Sequence, residues 1–107
     1  MPKIISQPTH QTVLTTFEVT PGTCQDLLDE LTRAYEEFIR HQPGFIAAAF
    51  HVNDAQARVA SYSQWSRRED FQAMLRTPEM RERNRKISAL ARSFEPVLYD
   101  VVTTIEA

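Results

Sequence analysis

An α+β domain with the ferredoxin-like order β-α-β-β-α-β is predicted for this chain of 107 residues. Stretches rich in β-branched residues open and close it. Two segments between them carry apolar residues at helical spacing, and Pro-Gly pairs at 21–22 and 43–44 punctuate the chain where one kind of element gives way to another.

Residues 1–11 hold two prolines among polar residues and are expected to form a loose arm before a single domain over 12–107. From Thr12 to Val19 the pattern alternates: Val13, Thr15, Phe17 and Val19 share one face, and Thr12, Leu14, Thr16 and Glu18 the other, the period of a strand. Pro21-Gly22 breaks it. Thr23 then offers an N-cap, with Asp26 three residues on. Leu27, Leu28, Leu31, Ala34, Tyr35, Phe38 and Ile39 follow at helical spacing, and Pro43-Gly44 ends the helix.

Phe45–Val52 and Arg58–Trp65 read as paired strands around a turn at residues 53–56, where Asn and Asp suit the backbone. In the second of them Val59, Ser61, Ser63 and Trp65 fall on one face, and Ala60, Tyr62 and Gln64 on the other. Ser66-x-x-Glu69 has the form of a capping box, opening a helix whose apolar stripe is Phe71, Met74 and Leu75. Thr77-Pro78 restarts the helix. Met80, Ile87, Leu90, Ala91 and Phe94 then lie near one face, interrupted by Asn84. Pro96 is expected to end this helix, and Val97–Ile105 to close the chain as a strand.

Helices in this order cover one face of the sheet. The other carries Leu14, Ala60 and Tyr62, too apolar to leave in water, so a homodimer that pairs two sheets is expected.

Composition narrows the function classes. Hydrophobic residues at 42% and charged residues at 24% are those of an ordinary globular domain. A net charge of −2 gives no electrostatic reason to expect nucleic acid or an anionic membrane as partner. No apolar run reaches the roughly 20 residues of a membrane helix, and the first residues lack the apolar core of a secretory signal, so a cytoplasmic protein is expected. Cys24 is the single cysteine, which leaves no internal disulfide and no cysteine-based zinc site. Two glycines, at 22 and 44, are too few for a phosphate-cradling loop, and His10 and His41 lack metal-ligand spacing to one another.

What remains points to a small-molecule pocket between sheet and helices. Trp65 stands where a strand hands over to a helix; an indole there either walls a pocket or seals the core. His51 ends its strand either as a half-exposed polar residue or, in the functional reading, turned inward on the parity of Phe45, Ala47 and Ala49, where the small Ala47 and Ala49 leave room beside the sheet for a ligand or for helix side chains. Ser61 and Ser63 share the face of Trp65 and can bond ligand or backbone; no His-Asp relay serves them as nucleophiles. Arginines crowd the last helix among interleaved glutamates, mostly as a solvated face. Of these, Arg81 and Arg85, a turn apart, are the candidates to face an anion.

Pro43-Gly44-Phe45-Ile46, Ala49-Phe50-His51 and Ser61-Tyr62-Ser63-Gln64-Trp65-Ser66 together resemble the antibiotic biosynthesis monooxygenase family, and the likeness in element order runs from about residue 12 to 105. Within it the chain is most similar to the members that oxidise aromatic polyketides such as anthrones and naphthacenones to quinones. The resemblance implies a dimeric α/β barrel and a small aromatic substrate that reacts with dioxygen without flavin, haem or metal. It implies roles for Trp65 against the ring system, His51 toward a phenol, Ser61 toward a substrate oxygen and an arginine such as Arg81 toward the substrate anion. Phe71, Met74, Ser63, Ala49 and Arg85 would complete the pocket.

Three positions depart from that pattern. Ser61 stands where the polyketide enzymes have asparagine, Phe71 where they have tyrosine, and Met74 near a histidine of haem-degrading and quinol-oxidising members, which disfavours haem chemistry. The missing asparagine and tyrosine keep an alternative in play: a non-oxidative ligand-binding or cyclase-like barrel.

Overall fold

The computed structural model describes residues 10–107, so the expected N-terminal arm falls, for residues 1–9, outside the described residues. Eight elements follow: β1 (Gln11–Glu18), α1 (Pro21–Glu37), a 3₁₀ turn (Ile39–His41), β2 (Phe45–Val52), β3 (Arg58–Trp65), α2 (Arg68–Arg76), α3 (Pro78–Leu90) and β4 (Ser93–Tyr99). The strands form one antiparallel sheet in the order β2-β3-β1-β4. This is the α+β ferredoxin-like arrangement expected, with its second helical segment divided at Pro78.

The core lies between the sheet and the helices. Val13 and Phe17 of β1, Val59 and Trp65 of β3, Leu27, Leu31 and Ala34 of α1, Phe71 and Met74 of α2 and Met80 and Ile87 of α3 are all buried. The alternation of β1 and β3 is therefore the one expected, with Val13 opposite Ser63 and Thr15 opposite Ser61 on the helix side.

Element ends differ from expectation at three places, each for a local reason. Helix α1 begins at Pro21, with Thr20 as its N-cap and Thr23 inside its first turn. The Thr20 amide donates to Thr23 Oγ1 at 3.2 Å, and a proline at the first helical position lacks only a hydrogen that would have no partner anyway. At α2 the N-cap is Arg67, and no side chain caps the helix. The Ser66 amide instead donates to the carbonyl of Gly44 at 2.7 Å, tying the β3–α2 corner to the turn before β2. Gly44 has φ +85°, and the Asp70 carboxylate occupies the space its missing side chain leaves.

The third difference is at β4, which begins at Ser93 and ends at Tyr99. Phe94, Pro96 and Leu98 pair with Phe17, Thr15 and Val13, so their spacing is the period of a strand. Phe94 stacks on Phe17 with ring centroids 5.5 Å apart. Pro96 sits within this strand because β4 is an edge, where a missing amide hydrogen breaks no ladder. No helix of the described residues is long and apolar enough to cross a membrane.

Candidate functional site

A cavity of about 180 Å³ opens between the β1–β4 half of the sheet and the three helices. The sheet contributes Thr15, Phe17, Ser61, Phe94 and Pro96 to its wall. From the helices come mostly apolar side chains, among them Leu31, Phe71, Met74, Met80 and Ile87. The polar exceptions are few: Thr15, Ser61, Tyr35 of α1 and Asn84 of α3. Among the described residues, no arginine, lysine, histidine, aspartate or glutamate lines it.

Topology explains where the space is. Helix α1 packs against α3 and β3, and α2 against β3 and α3, while α3 has no comparable contact with the sheet. The side chains of Met80 and Ile87 face the cavity from the helix side.

At the inner end of the cavity the Tyr35 hydroxyl lies 3.2 Å from Ser61 Oγ. Burial pushes the Tyr35 phenol above its ordinary pKa, and hydrogen bonding to Ser61 and Ser63 offsets part of that rise. Ser63 in turn accepts the indole N–H of Trp65 at 3.1 Å. Two polar pairs, Trp65–Ser63 and Tyr35–Ser61, thus lie side by side on the inner face of β3. They are set in an aromatic frame: Phe45 and Phe71 meet Trp65 edge-on at 5.4 and 5.7 Å, and Phe50 meets Tyr35 at 5.0 Å.

Of the residues picked from sequence, Ser61, Phe71 and Met74 line the cavity. Trp65 does not. It is fully buried behind Phe71, with its one donor satisfied, and Ser63 serves it as acceptor.

His51 and Ala49 lie on the far face of the sheet, contrary to expectation. A bulge between Phe45 and Ala47 shifts the β2–β3 register. Past it, Phe50 faces Ser61 on the helix side, while Ala49 and His51 face Tyr62 and Ala60 on the outer side. The room that Ala47 and Ala49 suggested is outside the core.

The arginines also stay out of the cavity. Arg81 is exposed, and Arg85 pairs with Glu82 at 3.2 Å. Arg83 is held by Glu79 at 2.9 Å and Glu37 at 3.1 Å.

Sequence reading passed over Tyr35, Asn84, Thr15 and Pro96. Two signals for the first pair were present. Tyr35 is the one residue of the α1 apolar stripe with a hydroxyl needing a partner, and Asn84 interrupts the apolar stripe of α3. Among the described residues no three His, Cys, Asp or Glu side chains are grouped so as to hold a metal ion.

Residues 11–86 match the family described as antibiotic biosynthesis monooxygenase. Over 80 residues the chain is 36% identical to tetracenomycin-F1 monooxygenase of Streptomyces glaucescens, an alignment covering 75% of this chain and 71% of that protein. Among solved structures, the ActVA-Orf6 monooxygenase of Streptomyces coelicolor, in complex with nanaomycin D, superposes with a TM-score of 0.83 at 24% identity, over 94% of each chain. SnoaB, a cofactor-independent oxygenase of Streptomyces nogalater, superposes with a TM-score of 0.77 at 20% identity, over 92% of this chain and 99% of that one. At these identities the superpositions speak for the fold.

Proposed function

This chain belongs to the antibiotic biosynthesis monooxygenase family, and from that premise we propose that it oxidises an aromatic, polyketide-like substrate to a quinone with dioxygen and no cofactor. The observation carrying the reading to this chain is the cavity itself, an apolar chamber whose inner end holds the Tyr35–Ser61 hydroxyl pair. Apolar walls exclude water and hold a ring system, and a few fixed hydroxyls orient its oxygens.

For an anthrone-like substrate the chemistry balances without an added reductant. The ring methylene loses its two hydrogens, one oxygen atom becomes the new carbonyl, and the other leaves with those hydrogens as water. The electrons come from the substrate, whose enol or phenolate form reduces dioxygen. The protein's part is to orient the substrate, hydrogen-bond the oxygen on which charge develops and shelter the peroxy adduct from water. A cavity of 180 Å³ lies between the ~150 Å³ that holds a benzene and the ~300 Å³ at which drug-sized sites begin. A three-ring substrate therefore needs Met74 and Met80, both unbranched and adaptable, to change rotamer.

A homodimer completes the proposal. Leu14, Tyr62 and Ala60 share the outer face of the sheet with Ala47, Ala49, Val97 and Tyr99, and the last two are exposed. Burying two such faces together removes an apolar surface from water.

Oxygen uptake with an anthrone, using chelated and flavin-free protein and subtracting spontaneous oxidation, tests the reading. Uptake above background with quinone formation is expected. The second reading, a barrel that binds without oxidising, is favoured by the lack of any carboxylate, imidazole or basic side chain among the described residues of the cavity wall; background uptake alongside tight ligand binding would establish it.

A further inference from the structure

A cavity of about 180 Å³ must grow to admit a three-ring substrate, and its walls do not resist growth equally. A rotamer change at Met74 or Met80 moves atoms that are themselves buried, and a packed interior has nowhere to put them unless a wall yields. The sheet side is fixed by the β1–β3 and β1–β4 ladders, and α1 and α2 both pack on β3. Helix α3 is different. It brings Met80, Asn84 and Ile87 to the cavity, yet among the described residues it packs on α1 and α2 and not comparably on the sheet.

Both ends of α3 are jointed. Thr77 (φ −66°, ψ 146°) and Ala91 (φ −117°, ψ 144°) are extended residues where the helix starts and stops. Just beyond Ala91, the Arg92 amide donates to the Glu18 carbonyl at 2.8 Å and ties the start of β4 to β1. Backbone rotation at the two joints therefore swings α3 without breaking a ladder or unwinding a helix.

One contact midway along α3 opposes that swing. Arg83 donates to Glu79 of its own helix at 2.9 Å and to Glu37, the last residue of α1, at 3.1 Å. Among the described residues, Arg83–Glu37 is the only ion pair that joins two helices. The Arg83 side chain is 22% exposed, so solvent and salt screen it less than the surface pairs. Glu79 already holds the guanidinium in place, and reaching Glu37 costs little further side-chain entropy.

We propose that Arg83 is a positioning residue that sets the cost of admitting a wide ring system: it clamps α3 to Glu37 of α1, and a ligand of three or more rings enters by displacing α3 and releasing the clamp. This rests on the reading of the cavity as the substrate site and adds what governs the size of substrate it takes. Arg83 touches no ligand; it acts through Met80, Asn84 and Ile87, which move with its helix.

Two redox-inert ligands of different width test it, 2-naphthol with two rings and 1,8-dihydroxyanthraquinone with three. Their dissociation constants are measured for the wild-type chain and its variants. Arg83→Gln should tighten the anthraquinone about 3-fold and leave 2-naphthol unchanged, since only the wider ligand has to release the clamp. Glu37→Gln should do the same, and the double variant no more than either alone, because both act through one contact. Arg83→Lys, which keeps the charge, should return most of the wild-type ratio. Arg33→Gln is the control, since its partner Glu30 lies on its own helix, and the ratio should stay put. General loosening of the fold weakens both ligands together. A ratio unchanged in Arg83→Gln, or shifted equally by Arg33→Gln, overturns the clamp. Binding of neither ligand to any variant overturns the clamp together with the reading of the cavity. Oxygen uptake with an anthrone is read separately. A shifted ratio without uptake overturns the oxygenase reading and leaves the clamp standing; uptake with an unchanged ratio does the reverse.

Discussion

Tyr35 Oη and Ser61 Oγ, 3.2 Å apart, join helix α1 to strand β3 at the inner end of the cavity. The contact does two things at once: it satisfies a buried phenol and it places a pair of hydroxyls where a ligand would end. Removing it should therefore be felt in both stability and binding. Tyr35→Phe is expected to cost about 0.5–1.5 kcal/mol in a urea titration, the usual net worth of one hydrogen bond, and to weaken ligand binding.

The same residue makes alkaline stability testable. Burial raises the folded-state pKa of Tyr35, so folding favours the protonated phenol. Its contribution is complete below the unfolded tyrosine pKa of about 10 and declines as pH rises from there toward the folded value, because only the unfolded chain then gains from ionisation. The wild-type protein should lose stability across that alkaline range more steeply than Tyr35→Phe. Denaturant midpoints at a series of pH values would show it.

Trp65 is expected to behave as a core residue first. Trp65→Ala should destabilise by about 3–5 kcal/mol through the cavity it leaves, so any loss of turnover in that variant includes unfolding. Trp65→Phe retains most of the ring contacts with Phe45 and Phe71 and removes the donor to Ser63. If the indole acts through its bond to Ser63, turnover should fall in the folded Phe variant; turnover equal to wild type would limit Trp65 to packing.

His51→Ala changes an exposed side chain on the sheet face away from the cavity. Stability should move by no more than about 0.5 kcal/mol and affinity for an anthrone-like ligand should be unchanged. A large loss of affinity would mean that the ring reaches the site after all.

Gly44 should resist substitution. Alanine there costs roughly 1–2 kcal/mol for the positive φ alone, and its methyl group would also collide with Asp70, which accepts from Arg67 at 3.2 Å. Thermal unfolding of Gly44→Ala should show a clear drop in midpoint. On the outer face, Val97→Asp should dissociate the proposed dimer in light scattering while leaving the cavity intact, since Val97 faces away from it.

Hydrophobic periodicity alone determined the order of elements, the face of β1 and β3 that turns inward and the apolar stripes of α1 and α2. These are properties of residues a few positions apart, and the burial of Val13, Phe17, Val59 and Trp65 follows from them. Ser61 was legible for the same reason, since it shares the inward face of Trp65, whereas periodicity gave Phe71 and Met74 only as an apolar stripe and the family resemblance put them in the pocket. The facing of β2 was not legible. One bulge between Phe45 and Ala47 inverts the sides of every later residue in the strand, and it arises from pairing with β3 rather than from the local pattern. The partners of the site were decided in the same way. Tyr35 and Ser61 are 26 residues apart, and Asn84 reaches the same cavity from a different helix. Only the packing of α1 and α3 over the β1–β4 half of the sheet makes neighbours of side chains that the sequence presents as an ordinary core tyrosine and a break in a stripe.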